Sequence, residues 1–121
     1  MIPYEDDEQK VLVQWLESVV KLKFTAVPNS TWTPSWKQRM KNKAMGLRKG
    51  MSDLIIYIKK EQSKYDRPLL LFVEMKRQKG AYATPEQKEW LRCLNQLNDV
   101  QCEVCNGYEK AKIFILKFIK T

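Results

Sequence analysis

Three features of the sequence predict an α/β fold: a small mixed β-sheet flanked by helices, in the order αβββαβ with a further helix at the end. Leu69 to Val73 is apolar without alternation, the pattern of a central strand covered on both faces. Leu54-Ile55-Ile56-Tyr57-Ile58 is β-branched and aromatic, as strands favour. Outside these runs, apolar residues recur at helical spacing, early in the chain from Val11 to Val20 and later from Trp90 to Leu94. A length of 121 residues suffices to bury a core and is near the common domain size, so one domain over 1–121 is expected. With 44% hydrophobic residues, four glycines and five prolines, the composition is that of a globular rather than a disordered chain.

Each element has its own local reason. Glu5, Asp6, Asp7 and Glu8 precede Val11, Leu12, Trp15, Leu16, Val19 and Val20, which makes an amphipathic first helix with acids at its positive dipole end. Glu8 stands apart from the other acids, because three- and four-residue steps carry it to Val11 and Leu12 on the core-facing stripe. Phe24 to Val27 is a short strand, stopped by Pro28-Asn29-Ser30, where Asn29 suits a turn. Thr31 to Met51 carries basic residues and tryptophans but no acid; Gly46 and Gly50 within it either permit a tight approach before the next strand or serve as loop and helix-end glycines.

Asp53 opens the second strand, and Lys59 to Arg67, ahead of Pro68, is the polar loop of a hairpin into the third. That strand runs into Glu74-Met75-Lys76 and a basic exit loop. Thr84-Pro85-Glu86-Gln87 is a helix start, with Thr84 at the N-cap, Pro85 in the first turn and Gln87 completing a capping box. Gln101 to Cys105 forms the last strand. From Tyr108 through Lys120 a helix or mixed segment follows, with Phe114 and Phe118 on one helical face, which covers the sheet or meets a second subunit. There is no internal repeat or low-complexity tract.

Strand side chains repeat every second residue, so Glu74 and Lys76 leave their strand from one face. A carboxylate and an ammonium side by side, with Asp53 on a neighbouring strand, suit phosphodiester hydrolysis. Two carboxylates can hold a hard divalent cation, and the lysine can orient a water or balance transition-state charge. The competing account is an exposed salt bridge at a strand end. The chain has no histidine, which excludes His-based triads and histidine metal clusters and leaves carboxylates, lysine or a metal for any hydrolysis. Among the cysteines, Cys93, Cys102 and Cys105, the Cys102-x-x-Cys105 pair has no second pair to complete a zinc site and reads as buried or partly buried strand thiols.

Ser52-Asp53, about twenty positions, Glu74-x-Lys76 and then Gln87-x-x-Trp90 resemble the PD-(D/E)xK nuclease superfamily. Gly46-x-x-x-Gly50-Met51-Ser52-Asp53-Leu54, Glu74-Met75-Lys76-Arg77 and Thr84-Pro85-Glu86-Gln87-Lys88-Glu89-Trp90-Leu91 are similar to its VRR-NUC branch, particularly the small stand-alone phage forms. The likeness extends to Glu8-Gln9, Pro28-Asn29 and Cys105-Asn106-Gly107-Tyr108-Glu109-Lys110-Ala111, and so spans almost the whole chain. Ser52 stands where the superfamily's name has proline, a position that shapes the backbone and supplies no ligand.

This resemblance implies a restriction-endonuclease-like core and a Mg²⁺- or Mn²⁺-dependent DNA endonuclease. Asp53 and Glu74 would bind the metal with help from the Met75 backbone carbonyl, and Lys76 would position the nucleophile or balance charge. Gln87 would lie near the lysine, beyond its capping role. Glu8 would reach the metal site from beneath, as an alternative to serving the helix dipole, and Pro28-Asn29 would border the cleft. Stand-alone members of the branch imply a homodimer acting on branched DNA such as four-way (Holliday) junctions, with no small-molecule cofactor. A flap or single-strand nuclease and a non-catalytic nucleic-acid-binding module are the alternatives.

Charge agrees with a polyanionic partner. Lysine plus arginine exceed aspartate plus glutamate by 22 to 14, a net +8. Arg39, Lys41, Lys43, Arg48 and Lys49, interleaved with Trp32 and Trp36, suit a surface that tracks a phosphate backbone and offers rings for stacking; a solvated helix face with core tryptophans is the alternative. Lys79 in the exit loop is a further candidate contact. No run of eighteen apolar residues and no signal-like start is present, so a cytoplasmic protein without membrane association is expected, in a bacterial host cell if phage-encoded.

Overall fold

The computed structural model describes residues 1–28 and 33–121. Its elements are α1 (Glu5–Ser18), β1 (Lys23–Ala26), α2 (Trp36–Ala44), β2 (Leu54–Ile58), β3 (Leu69–Lys76), α3 (Pro85–Leu94), β4 (Val100–Asn106) and α4 (Tyr108–Leu116). The strands form one sheet in the order β1-β2-β3-β4. The first three are antiparallel neighbours, and β4 lies parallel to β3 after the α3 crossover, so the sheet is mixed as expected. Register aligns the two acids of neighbouring strands: Leu54 pairs with Val73, which sets Asp53, one step before β2, level with Glu74.

The two faces of the sheet bury different side chains, as a period of two requires. Leu54, Ile56 and Ile58 of β2 and Leu69, Leu71, Val73 and Met75 of β3 join Leu12 and Leu16 of α1 and Ala111 and Ile115 of α4 in the main core. On the opposite face Phe72, Cys102 and Leu94 form a smaller cluster, against which Ile55, Leu70, Trp90 and Val100 are only partly buried. The main core is covered by two helices and the smaller cluster by α3.

Cys102 and Cys105 are three residues apart on β4, and Cys102 belongs to the smaller cluster while Cys105 belongs to the main core. They cannot share an ion, and both read as buried strand thiols; burial pushes the Cys105 thiol up to about 12. Cys93 differs, being exposed on α3.

Three expectations shift. Strand β1 begins and ends one residue earlier than the apolar pattern suggested, and β4 extends to Val100 and Asn106. The basic segment contains a helix of its own, α2, capped by the Ser35 hydroxyl accepting from the Gln38 N–H. It buries no residue, which is why no apolar stripe announced it. The C-terminal segment resolves into α4 and a turn, with Ile119 bridged to Ser63 and Phe114 edge-on to Phe118 at 5.3 Å, so it covers the sheet. Asn29 and Trp32 lie outside the described residues.

Candidate active site

The even-numbered residues of β3 face α3, and the last two of them are Glu74 and Lys76. Lys76 Nζ lies 3.8 Å from Glu74 Oε1, with side-chain exposures of 12% and 5%, so this is a largely buried pair and not the exposed strand-end salt bridge that spacing alone allowed. Asp53 Oδ2 accepts the backbone N–H of Met75, the residue between them, at 2.7 Å. From α3, Gln87 Nε2 donates to Glu74 Oε1 at 2.6 Å. Gln87 meanwhile completes the capping box: its Oε1 accepts the Thr84 N–H at 2.9 Å, and its own N–H donates to the Thr84 hydroxyl at 3.2 Å. Its helix-starting and site-facing roles coexist because its amide presents a donor and an acceptor at opposite corners.

These side chains line a cleft of about 370 Å³ together with Glu5, Lys49, Gly50, Met51, Thr84 and Glu86. Gly50 is required there. Its φ is +103°, and a Cβ would stand 2.6 Å from the Glu86 backbone, so the loop before β2 presses directly on the first turn of α3. Gly46 takes the other role open to it, the helix-end glycine: it follows the end of α2 and has open space around its Cα.

Electrostatically the cleft is short of positive charge at one atom. Glu74 is 4% exposed, and burial, followed by the negative charge of Asp53, pushes its carboxyl up to about 8 despite Lys76. Glu74 Oε2 is buried and accepts no hydrogen bond among the described residues. The Glu5 carboxyl is also raised, first by burial and then by Asp53. A buried acid with one oxygen tied and the other unserved is a site for a proton or a cation. Among the described residues no group of three or more His, Cys, Asp or Glu side chains is gathered to hold an ion by itself.

The family model of the VRR-NUC domain matches residues 3–109. The chain belongs to the VRR-NUC family. A solved structure described as a VRR_NUC domain protein superposes with a TM-score of 0.71 at 25% identity, covering 96% of this chain and 88% of the other. No curated protein matches the sequence. A VRR-NUC domain is a nuclease domain, and the α/β architecture with its mixed sheet is the one that the matched VRR-NUC structure shares.

Within this VRR-NUC domain, the remaining sequence candidates fall in several places. Glu8 is 6% exposed and does not line the cleft. Its Oε1 accepts from Gln78 Nε2 at 2.8 Å, and its Oε2 accepts the Tyr108 N–H, so it caps α4. Gly107, at φ +98°, supplies no side-chain cap, and Glu8 serves in its stead from another helix. The acid that α1 brings to the cleft is Glu5, one turn earlier; the sequence places both acids near one helical face and does not say how α1 crosses the sheet.

Of the basic candidates, Lys49 lines the cleft, while Arg39, Lys41 and Lys43 are exposed on α2. Arg48 donates from Nη1 to the Lys43 and Leu47 carbonyls, both at 3.0 Å, and so braces the end of α2. Lys79 is exposed in the exit loop. Its neighbour Arg77 is engaged locally, donating to the Ile2 and Pro3 carbonyls and lying over the Tyr4 ring. Ser52, in place of proline, is buried with its hydroxyl 3.4 Å from Cys102 Sγ, turned toward the smaller cluster.

Proposed function

We propose that this protein is a Mg²⁺- or Mn²⁺-dependent DNA endonuclease, acting as a homodimer on branched DNA such as four-way junctions. One observation carries the catalytic reading: Asp53 at the entry to β2, Glu74 and Lys76 on β3 and Gln87 on α3 line one cleft, and Glu74 there keeps a buried oxygen without a hydrogen bond among the described residues. Those residues fit a hard divalent cation, which needs only one or two carboxylates because it retains waters. Asp53, Glu74 and the Met75 carbonyl would hold it. When bound, such an ion polarises a phosphate and lowers the pKa of an attacking water.

The side chains then divide the work. Gln87 holds Glu74 Oε1, which leaves Oε2 as the oxygen that would meet the ion. The Met75 N–H fixes Asp53. Lys76 stands beside Glu74, where its ammonium orients the attacking water or balances charge on the phosphate in the transition state. Lys49, on the cleft wall, meets an adjacent phosphate. DNA as the substrate is supported by the nuclease family, the net charge of +8 and the exposed basic helix α2. Preference for branched DNA and the two-fold assembly rest on likeness to small stand-alone forms, in which paired sites suit a two-fold substrate.

The test incubates wild type and Asp53→Ala with labelled four-way, flap and linear DNA, with and without Mg²⁺ or Mn²⁺. Junction cleavage by wild type that needs the metal and Asp53 is expected. A flap or single-strand preference would select the runner-up nuclease, and a monomer without junction preference would count against the two-fold reading. Lys76→Ala that still binds DNA but no longer cuts separates an enzyme from a binding module; equal cutting by Lys76→Ala would sink the assignment of this site.

A further inference from the structure

Beside the cleft lies a second hollow of about 480 Å³, and the two share Lys49 and Glu86 in their walls. We infer that this hollow is a nucleobase subsite, which takes an unpaired base from a nucleotide next to the phosphate in the cleft and stacks it on Trp90.

The walls have the required chemistry. Trp90 and Pro85 give apolar surface, and the Trp90 indole is anchored against the Phe72 and Leu94 cluster while remaining partly exposed. An aromatic face held by packing is a stacking platform that tolerates any base. The volume is in the range of small-ligand pockets, ample for one base. Lys49, where hollow and cleft meet, is placed for the phosphate that joins two successive nucleotides. Two acids also line the hollow, Glu86 and Glu89, and Arg92 pairs Glu89 at 2.6 Å and offsets its charge. Between the two hollows the loop before β2 meets α3 at Gly50 and the Glu86 backbone, an approach too close for any side chain at Gly50.

A base stacked within a duplex presents no free face, so the subsite takes only unpaired nucleotides, as occur at branch points, flaps and gaps. It thereby supplies a physical reason for a preference for non-duplex DNA. The inference rests on the nuclease reading only in treating the neighbouring phosphate as the scissile one.

The experiment measures binding by fluorescence anisotropy in EDTA, so that no cutting intervenes. The probes are duplexes with one unpaired nucleotide, its base either present or replaced by an abasic site. Wild type should bind the base-bearing probe about tenfold more tightly, the gain of a single stacked base. Trp90→Leu keeps apolar bulk for the cluster and should lose that difference, whereas Trp90→Phe keeps a ring and should retain most of it. Equal binding of both probes by wild type, or a preference that survives in Trp90→Leu, overturns the subsite. Metal-dependent cutting without base discrimination would remove the subsite and leave the nuclease; base discrimination without cutting in Mg²⁺ or Mn²⁺ would do the reverse.

Discussion

Strand β3 separates two environments that differ in what they contribute. Toward α1 and α4 it sends Leu69, Leu71, Val73 and Met75, all buried in a core with two helices over it. Toward α3 it sends Leu70 and Phe72, then Glu74 and Lys76, against a smaller and looser cluster. Folding gains from the first face through apolar burial. On the second it accepts a buried carboxyl without a full set of partners, a loss that a proton or a bound cation offsets. Removing the site should therefore disturb chemistry far more than folding, and removing the core the reverse.

Substituting the two faces separately tests this contrast most sharply. Glu74→Gln should lower metal-dependent cleavage by about a thousandfold or more, equivalent to about 4 kcal/mol of barrier, while leaving the fold intact. Leu71→Ala, on the same strand and 0% exposed, should cost about 2–5 kcal/mol in denaturant unfolding and spare cleavage per folded molecule. If Leu71→Ala abolished cutting without destabilising the chain, or Glu74→Gln unfolded it, the division between faces would be wrong.

Stability against pH is a finer probe of the α3 side. The Glu74 carboxyl titrates at about 8 in the fold and near its usual 4.5 when unfolded. Between those values the folded chain holds a proton that the unfolded chain has released, so stability falls as pH rises from about 5 and levels off above about 8. The full change is on the order of a few kcal/mol. Urea melts in EDTA across that range should show the slope, Glu74→Gln should flatten it, and added Mg²⁺ should reduce it by replacing the proton. A slope unchanged by Glu74→Gln would assign it to other groups.

The period-two rule makes Glu74 and Lys76 legible as neighbours from the sequence alone, and the apolar run ahead of them places them at the end of a central strand. The capping box likewise fixes where α3 starts and therefore which way Gln87 can turn. Asp53 is harder, because its meeting with the Met75 N–H depends on register between β2 and β3, which neither strand states alone. The choice between Glu5 and Glu8 is not legible, since a helix repeats each face every turn and the crossing of α1 is set by core packing. Helix α2 escapes the apolar pattern for a different reason: it buries none of its residues, and its signals are only Ser35 at the start and Gly46 beyond the end.

Helix α2 belongs to neither face, and the smallest expected effects are there. Lys41 is solvent-exposed, so Lys41→Ala should weaken DNA binding modestly and alike for every sequence, lowering the slope of log affinity against log salt by about one. Arg48→Ala should behave differently, although it removes the same charge. Its guanidinium holds the Lys43 and Leu47 carbonyls at the end of α2, so its loss also frees that helix end. Binding measured over a range of salt, with amide exchange across residues 36–49, distinguishes the two. Lys41→Ala should change only the salt slope, whereas Arg48→Ala should also speed exchange in the last turn of α2. Identical behaviour would mean that the brace on α2 contributes nothing to how the basic surface is presented.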